Sequence, residues 1–480
     1  MSARHHRSLI PLALASVLSA TVLSSAASAA DPPSLRLFVA DSEITVERGR
    51  QDFIFFDPGA WVTPVGGDFK VLVSRPDYDT PVTIKQVDAV TGEVMRTFPA
   101  DTMDAWFGLK DFGSYRVEDA QGNEVLSLTF PFCLNSFNRQ RLSDDGPLTS
   151  QFPFFCGGGP FTKGAVWGLE NGWATAFVGG YYGFGFEAPK KRYTVTFSIA
   201  QEWVDALQIA PQDATAEIQL TVTEKGAGFR RAIAAPPAPP AYRPYGSVPI
   251  VTNPDPASLP DLVAIPGWAM LIDKRKGREY LTFNATEWNA GPGTMVVEGF
   301  RAPNEDAMDA FQYFLIDGEP VGRAPIGQLE FHEGGGHNHW HFEEFTEYSL
   351  LDASLTEVLV SGKQSWCLVN TDAIDLTLPN ANIAGFGQDL FTSCGGPGAL
   401  WIREILDVGW GDSYSQYVRG QAFDITDLPN GTYYVRVHVN PTGDIFETTE
   451  TNNVVDRLIK LKGKPGNRRV VVPPWHGIDA

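Results

Sequence analysis

The chain has 480 residues, with 37 Lys and Arg against 57 Asp and Glu, and therefore a formal net charge of −20. This acidic balance argues against a nucleic-acid partner, whose phosphates need a basic protein surface. Hydrophobic residues make up 43% of the chain, which excludes wholesale disorder and, at this length, predicts two or three domains.

The first thirty residues predict a secretory signal peptide, residues 1–30. A basic start is followed by an apolar stretch over 9–23 and by the small residues Ala27-Ser28-Ala29, a typical cleavage site. An amino-terminal membrane anchor is the alternative, but the apolar stretch is short and a cleavage site follows it. No later segment has the ~18 apolar residues that a spanning helix needs, so we expect a secreted protein without an integral membrane segment.

Residues 31–233 predict a β-rich accessory domain whose role the sequence does not declare. Val82–Phe98 alternates between apolar and polar residues around a Thr-Gly turn, and Tyr115–Phe130 does so around Gln-Gly-Asn, as β-hairpins do. Gly and aromatic residues crowd the segment 157–186. We interpret this segment as packed strands; an exposed aromatic platform for a polymer is the alternative.

A dense run of prolines predicts a semi-rigid linker over residues 234–258, because proline favours extended backbone and lacks the N–H that a strand ladder needs. Each side of the linker holds two cysteines, and four cysteines allow three pairings. Pairing within each half, Cys133 with Cys156 and Cys367 with Cys394, is the simplest, and an exported protein can form such disulfides.

The carboxy-terminal half also shows strand patterns. Gly431–Asn440 alternates cleanly, and Phe311–Glu333 predicts a hairpin through Asp317-Gly318, although residues 307–315 could begin as a short helix. We interpret the basic carboxy terminus, residues 466–480, as a solvated tail; an electrostatic tether to an anionic surface is the alternative.

Four of the eight histidines fall within ten residues: His332, His337, His339 and His341. On a helix the i+2 residue points away, whereas the period of two in a strand puts the histidine row (His337, His339 and His341) on one face. Same-face residues are about 6.6 Å apart along a strand, so three imidazoles can converge on one ion. The row predicts a metal site; a polar strand face is the alternative.

The ligand types favour copper or zinc. Three imidazoles without a thiolate are typical of Cu(II) or catalytic Zn, and Cu(II) binds such ligands more tightly. The spacing from His337 to Glu343 also matches the first motif of a cupin, but His438 lacks the Gly/Pro turn that the second motif requires.

The metal segment and the sequence around it resemble the lysyl oxidase family. The motifs, in order, are LPDLV at 259–263, HNHWHFEEFTEYSLLD at 337–352, GKQSWCLVN at 362–370, DSY at 412–414, FDITDLPNGTYYVRVHVNP at 423–441 and ETTETNNVV at 447–455. Several motifs occur in the family's order over residues 259–465, and this order makes the resemblance specific. The histidine row alone would not be specific to the family. Together with the strand patterns, the resemblance implies an all-β protein, with a β-rich accessory domain, a proline-rich linker and a β-sandwich-like lysyl oxidase domain with few short helices.

The resemblance also implies the cofactors. It implies Cu²⁺ held by His337, His339 and His341, and lysine tyrosylquinone, which the family makes from one Lys and one Tyr of its own chain. The Lys position falls on Lys363 and the Tyr position on Tyr414.

The implied reaction needs a general base that removes the proton next to the substrate nitrogen. Asp412, two residues before Tyr414, is our candidate, and Glu343 and Glu344 are others. An unpaired surface carboxylate is the alternative for all three.

A second, calcium site is implied at the end of the domain, where oxygen donors are dense. The positions that match the family's ligands are Asp261, Leu262, Glu447, Thr449, Glu450, Asn452 and Asn453. Thr449 stands where an Asp is usual, although Glu450 could compensate, and an acidic turn is the alternative. A bound ion would tie the start of the domain to its end.

The chain departs from the animal enzymes at Trp410 and Gly420, where those enzymes have two cysteines flanking the quinone tyrosine. The smaller number of disulfides indicates a bacterial-type member. It leaves open how the segment that carries Tyr414 is held.

We therefore expect a secreted amine oxidase, dependent on copper and a quinone, that converts primary amines (peptidyl lysine or small amines) to aldehydes with O₂ and releases H₂O₂ and ammonia. The acidic charge would favour cationic substrates by steering. Two alternatives use the same histidines. A non-catalytic exported copper or zinc protein needs neither Lys363 nor Tyr414, and a zinc hydrolase needs a water and a base but no quinone.

Overall fold

The computed structural model describes residues 31–48, 52–135, 138–143, 146–178, 184–223, 244–303, 305–334, 337–363, 365–384, 394–418, 420–476 and 478. The signal peptide and the first part of the linker, as predicted, lie outside these residues. So do the side chains of residues 333, 334, 337 and 338.

The described residues form an almost all-β protein, which confirms the predicted fold class. The helical elements are the α-helix α1, Gln201–Leu207, and 3₁₀ turns at Ala100–Thr102, Pro211–Asp213 and Pro256–Ser258. No helix in the described part of the chain is long and apolar enough to cross a bilayer.

The strands of the amino-terminal half are β1 Ser34–Val39, β2 Glu43–Glu47, β3 Phe53–Phe56, β4 Ala60–Val65, β5 Phe69–Ser74, β6 Thr83–Val87, β7 Val94–Phe98, β8 Leu109–Asp119, β9 Glu124–Phe132, β10 Arg139–Arg141, β11 Gly164–Leu169, β12 Trp173–Ala176, β13 Phe184–Glu187, β14 Arg192–Ile199 and β15 Thr215–Thr223. Those of the carboxy-terminal half are β16 Leu262–Ala264, β17 Trp268–Arg275, β18 Arg278–Asn289, β19 Met295–Phe300, β20 Ala307–Ile316, β21 Glu319–Gly334, β22 His337–Phe342, β23 Thr346–Leu351, β24 Glu357–Val360, β25 Asp372–Ala373, β26 Trp401–Leu406, β27 Trp410–Tyr414, β28 Ala422–Asp424, β29 Gly431–Val439, β30 Val454–Lys464 and β31 Asn467–Val471.

The amino-terminal half packs its strands around one apolar core. The sheets have the strand orders β1-β4-β12-β10, β11-β5-β6-β7, β13-β3 and β2-β15-β14-β8-β9. The two predicted hairpins are confirmed as β6–β7 and β8–β9. In the aromatic-rich segment, Trp167, Phe177 and Phe184 are buried, which confirms packed strands for its described residues. The predicted disulfide Cys133–Cys156 is also confirmed, with its Cα atoms 5.6 Å apart.

Three sheets surround the core of the carboxy-terminal half. We call β22-β21-β20-β19-β26 the histidine sheet and β16-β18-β27-β25, with β17 and β28 added on β18, the tyrosine sheet; the third is β24-β23-β29-β30-β31. The predicted hairpin through Asp317-Gly318 is confirmed as β20–β21. The short helix considered for residues 307–315 is wrong, because β20 bonds to a strand on both sides and buries alternate residues.

The two halves meet where β11 approaches the segment that follows β25. The backbone N–H of Gly164 donates to Ile374 O at 3.0 Å, and the N–H of Leu376 donates to Gly164 O at 2.9 Å. A Cβ on Gly164 would lie 2.2 Å from Asp375 Oδ1, so only glycine permits this approach. Val166 of the same strand is buried in the core of the carboxy-terminal half. Because β25 pairs with β27, the contact with the amino-terminal half supports the strand that carries Tyr414, the predicted quinone tyrosine.

The carboxy terminus is not a solvated tail. β31 continues the third sheet, and the backbone N–H of Arg468 donates to Glu279 Oε1 at 2.8 Å. The ring of Trp475 lies 5.5 Å from that of Tyr78 in the amino-terminal half, between centroids. The buried guanidinium of Arg468, whose Nε lies 3.6 Å from Glu279 Oε2, also holds this segment, so both apolar and basic residues decide where it lies.

Candidate active site

The histidine row lies on β22, at the edge of the histidine sheet, as the period of two predicts. The pairing of β21 with β22 places His332 opposite His339 and Glu330 opposite His341. The ring centroids of His339 and His341 are 4.7 Å apart, and those of His332 and His341 are 4.4 Å apart. His337 precedes His339 by two residues on the same strand, and its side chain is outside the described part. The pairing of the two strands therefore brings His332 next to the histidine row. Its spacing in the sequence alone did not establish this position.

Polar contacts and burial restrict the orientation of these imidazoles. His341 is 1% exposed, and its Nδ1 lies 3.1 Å from Ser365 Oγ. His332 Nε2 lies 3.0 Å from Glu343 Oε1. Such contacts are the usual means of orienting ligating histidines. Burial, followed by nearby positive charge, lowers the pKa of His339, so this imidazole is neutral at pH 7 and able to bind a metal. A set of imidazoles without a thiolate fits Cu²⁺.

Lys363 and Tyr414 meet in the interior beside the histidines. Lys363 Nζ lies 4.4 Å from the centroid of the Tyr414 ring, and it donates a hydrogen bond to the carbonyl of Ser365. The lysine is 4% exposed. Burial lowers the pKa of Lys363 to about 8, although neighbouring carboxylates, first among them Asp412, act in the opposite direction.

Backbone contacts and a disulfide fix Tyr414. Its hydroxyl accepts a hydrogen bond from Cys367 N at 2.9 Å and donates to Cys367 O at 3.3 Å. The ring of Trp366 lies 4.1 Å from its ring, between centroids. Cys367 is bonded to Cys394, which confirms the predicted disulfide, and Trp340 N of the histidine strand donates to Cys394 O at 2.6 Å. The disulfide thus links the tyrosine to the histidine strand.

Three buried carboxylates surround the Lys363–Tyr414 pair: Glu287, Glu404 and Asp412. Glu287 lies directly opposite Asp412 in the pairing of β18 with β27. Burial raises the pKa of all three well above the usual range, and for Glu287 the next cause is Asp412. In each carboxylate, one oxygen is buried and has no hydrogen-bond partner among the described residues. Of these three carboxylates, the sequence indicated only Asp412.

Residues 321–470 match the sequence model of the lysyl oxidase family. Residues 321–470 therefore have the sequence of a lysyl oxidase domain. Lysyl oxidase homolog 3B of Danio rerio is 30% identical over 148 residues, which cover 29% of this chain and 16% of the relative. Lysyl oxidase homolog 1 of Homo sapiens is 33% identical over 130 residues, which cover 27% of this chain and 20% of the relative. The match thus spans a fifth or less of the length of these curated relatives.

Packing holds the lysyl oxidase domain together at the two positions where the animal enzymes have cysteines. A Cβ on Gly420, whose φ is +90°, would lie 3.1 Å from Lys363 N and Cβ, so glycine makes room for the lysine. Trp410 is fully buried, and its indole N–H donates to Asn382 O at 2.7 Å. Burial and a hydrogen bond therefore hold the Trp410 end of the segment that contains Tyr414, and the Gly420 end packs closely against Lys363.

Several predicted calcium positions come together at the base of the lysyl oxidase domain. Glu447 Oε2 accepts a hydrogen bond from Leu262 N at 2.9 Å, and Glu447 Oε1 accepts one from Asn453 Nδ2 at 2.7 Å. Asn452 Nδ2 donates to Asp261 Oδ1 at 3.0 Å. The Oδ1 atoms of both asparagines are buried and accept no hydrogen bond from any described residue. Such oxygens suit a Ca²⁺ ion.

The two remaining calcium positions are placed differently. Thr449 Oγ1 lies 2.9 Å from Thr451 Oγ1, and Glu450 is exposed. The direct hydrogen bonds already join the start of the domain to its end, which is the role implied for the ion.

Proposed function

We propose that this chain is a secreted, copper-dependent amine oxidase of the lysyl oxidase type. In the overall reaction a primary amine, either peptidyl lysine or a small amine, reacts with O₂ and water and yields an aldehyde, H₂O₂ and ammonia. The proposal rests on the distance of 4.4 Å between Lys363 Nζ and the centroid of the Tyr414 ring, beside the histidines. A metal-sequestering protein or a zinc hydrolase needs no such pair.

His337, His339 and His341 would hold the copper, and His332 lies within the same group of rings. Copper bound there would supply one-electron chemistry with O₂. The contribution of the chain is a set of imidazoles kept in position by contacts such as that of His341 Nδ1 with Ser365 Oγ.

Lys363 and Tyr414 would form lysine tyrosylquinone, which supplies an electrophilic carbonyl to a primary amine. The chain positions both precursors. Cys367 binds the tyrosine hydroxyl through its N–H and its C=O, and Trp366 covers the tyrosine ring. Burial of Lys363 keeps its amine near the ring and partly unprotonated.

Asp412 would remove the proton from the carbon next to the substrate nitrogen. It lies on the same strand as Tyr414, and a pKa raised by burial suits a base that works near neutral pH. The other candidates suit this role less well. Glu343 contacts His332 at 3.0 Å, and Glu344 is exposed, with a φ of 56°.

Ca²⁺ bound between Asp261 and Glu447 would have a structural role. Both carboxylates are remote in sequence from Lys363 and Tyr414. Glu447 bonds to Leu262 at the opposite end of the domain, so an ion there would strengthen a junction that already exists.

Aerobic reconstitution of the full chain with Cu²⁺ tests the proposal. The assay follows H₂O₂ release with a lysine-containing peptide and with an alkylamine, together with phenylhydrazine trapping. Tyr414→Phe should abolish peroxide release and leave copper uptake intact. Tyr417→Phe, at a neighbouring tyrosine that is 83% exposed, is the matched control and should retain activity. Peroxide release that persists in Tyr414→Phe would contradict the proposal.

A further inference from the structure

Glu287 and Asp412 form a carboxyl pair across two strands. They lie directly opposite each other in the antiparallel register of β18 and β27. Residues in this relation share one face of the sheet, with Cβ atoms about 4.5–5.5 Å apart, so the two carboxyl groups can reach each other. Tyr414 lies two residues from Asp412 and therefore on the same face. Both carboxyl groups are buried, at 0% and 1% exposure.

Too few positive charges surround this pair to balance both carboxyl groups if both are ionised. The groups that face it from neighbouring elements are Glu404 on β26, Asp372 on β25, Tyr348 on β23, Tyr414 on β27 and Lys363. The cation among these neighbours is Lys363. One ammonium group cannot balance the buried carboxylates around it, and two adjacent carboxyl groups in a dry site cannot both ionise.

The hydrogen bonds indicate which member of the pair holds the proton. Asp412 accepts from the N–H of Val369 and from Thr371 Oγ1, and such donors favour the ionised form. Glu287 Oε1 lies 3.3 Å from the hydroxyl of Tyr348, which can either donate to a carboxylate or accept from a protonated carboxyl. The second oxygen of each carboxyl, Glu287 Oε2 and Asp412 Oδ2, has no hydrogen-bond partner among the described residues. A proton between the two groups would satisfy both oxygens.

We propose that Glu287 is a positioning residue of the active site, which holds a proton in a hydrogen bond to Asp412 and keeps Asp412 ionised and oriented as the general base. The catalytic role of Asp412 rests on the proposed function; the shared proton does not. Glu287 acts only through Asp412, and its proton stays within the pair.

Infrared spectroscopy of the full chain tests the shared proton without any turnover. At neutral pH the wild type should show the C=O band of a buried protonated carboxyl, and Glu287→Gln should remove intensity from it. Tyr348→Phe should keep the intensity and shift the band. Asp424→Asn is the control on a strand that also pairs with β18. Despite some burial of Asp424, the hydrogen bonds from Arg278 and Thr426 lower its pKa to about 2. This carboxyl is therefore ionised, and its replacement should not change the band.

The pH profile of the copper-loaded enzyme gives a second measurement. Glu287→Leu removes the hydrogen-bond donor that stabilises the ionised form of Asp412, so the pKa of Asp412 should rise. The acidic limb of kcat/KM should then move to higher pH by about one unit, a tenfold change in proton affinity, whereas Glu287→Gln, whose amide can still donate, should move it less. An unchanged carboxyl band in Glu287→Gln together with an unmoved limb in Glu287→Leu would overturn the inference. A wild type that oxidises no amine would instead overturn the proposed function, and the infrared result would still decide whether the proton is shared.

Discussion

The burial of Lys363 should set the rate at which it links to Tyr414. The link needs the unprotonated amine. Burial lowers the pKa of Lys363 from 10.5 to about 8. Near pH 7.5 such a pKa leaves roughly a quarter of the amine neutral, compared with about one part in a thousand for an ordinary lysine. Burial therefore increases the reactive fraction by a factor on the order of 200.

The rate can be measured as the appearance of the Lys363–Tyr414 cross-linked peptide by mass spectrometry, after Cu²⁺ and air are added to the full chain at a series of pH values. It should rise about tenfold per pH unit at low pH and level off above about pH 8. Asp412→Asn removes the carboxylate that raises this pKa most, so the plateau should begin at lower pH, whereas amine turnover should be lost. Lys363→Arg, which stays charged, is the control and should give no cross-linked peptide.

A rate that still rises beyond about pH 10, the range of an exposed lysine, would refute this reasoning. So would a plateau that moves to higher pH in Asp412→Asn. Either result would mean that desolvation does not set the pKa of the Lys363 amine.

Other contacts give further expectations. Gly164→Val should destabilise the chain by roughly 1–3 kcal/mol in denaturant unfolding, because a Cβ there would overlap a carboxyl oxygen across the domain interface. Gly159→Ala, where a Cβ would meet nothing within 4 Å, is the control, and equal stability of the two variants would contradict the described interface. Replacing Cys367 and Cys394 by Ser should lower the yield of the cross-link but not copper uptake, as measured by mass spectrometry and metal analysis; an unchanged yield would show that the disulfide does not position the tyrosine. Glu447→Gln should weaken Ca²⁺ binding in calorimetry and lower the melting temperature measured with Ca²⁺, and wild-type binding in this variant would argue against the calcium site.

The strand that carries the histidine row could be predicted from spacing, because only a period of two puts His337, His339 and His341 on one face. The proximity of Lys363 to Tyr414 could not be predicted from spacing, because it depends on a loop that reaches a strand of another sheet. Only the order of the family's motifs connected the two residues before their geometry was known.

The carboxylates beyond Asp412 could not be predicted, because strand pairing rather than sequence distance brings Glu287 opposite it. The same applies to His332, which reaches the row through the register of a hairpin. The carboxy terminus was misjudged for a different reason. Its basic residues suggested solvation, whereas Trp475 and Ile478 bind it to the amino-terminal half.

The Lys363–Tyr414 cross-link is the most direct test of the proposed amine oxidase. The full chain is exposed to Cu²⁺ and air, digested, and examined by mass spectrometry together with its visible spectrum. We predict a single peptide that joins the two segments, and quinone absorbance that phenylhydrazine shifts. Two separate, unmodified peptides from a chain that has bound copper would contradict the proposal.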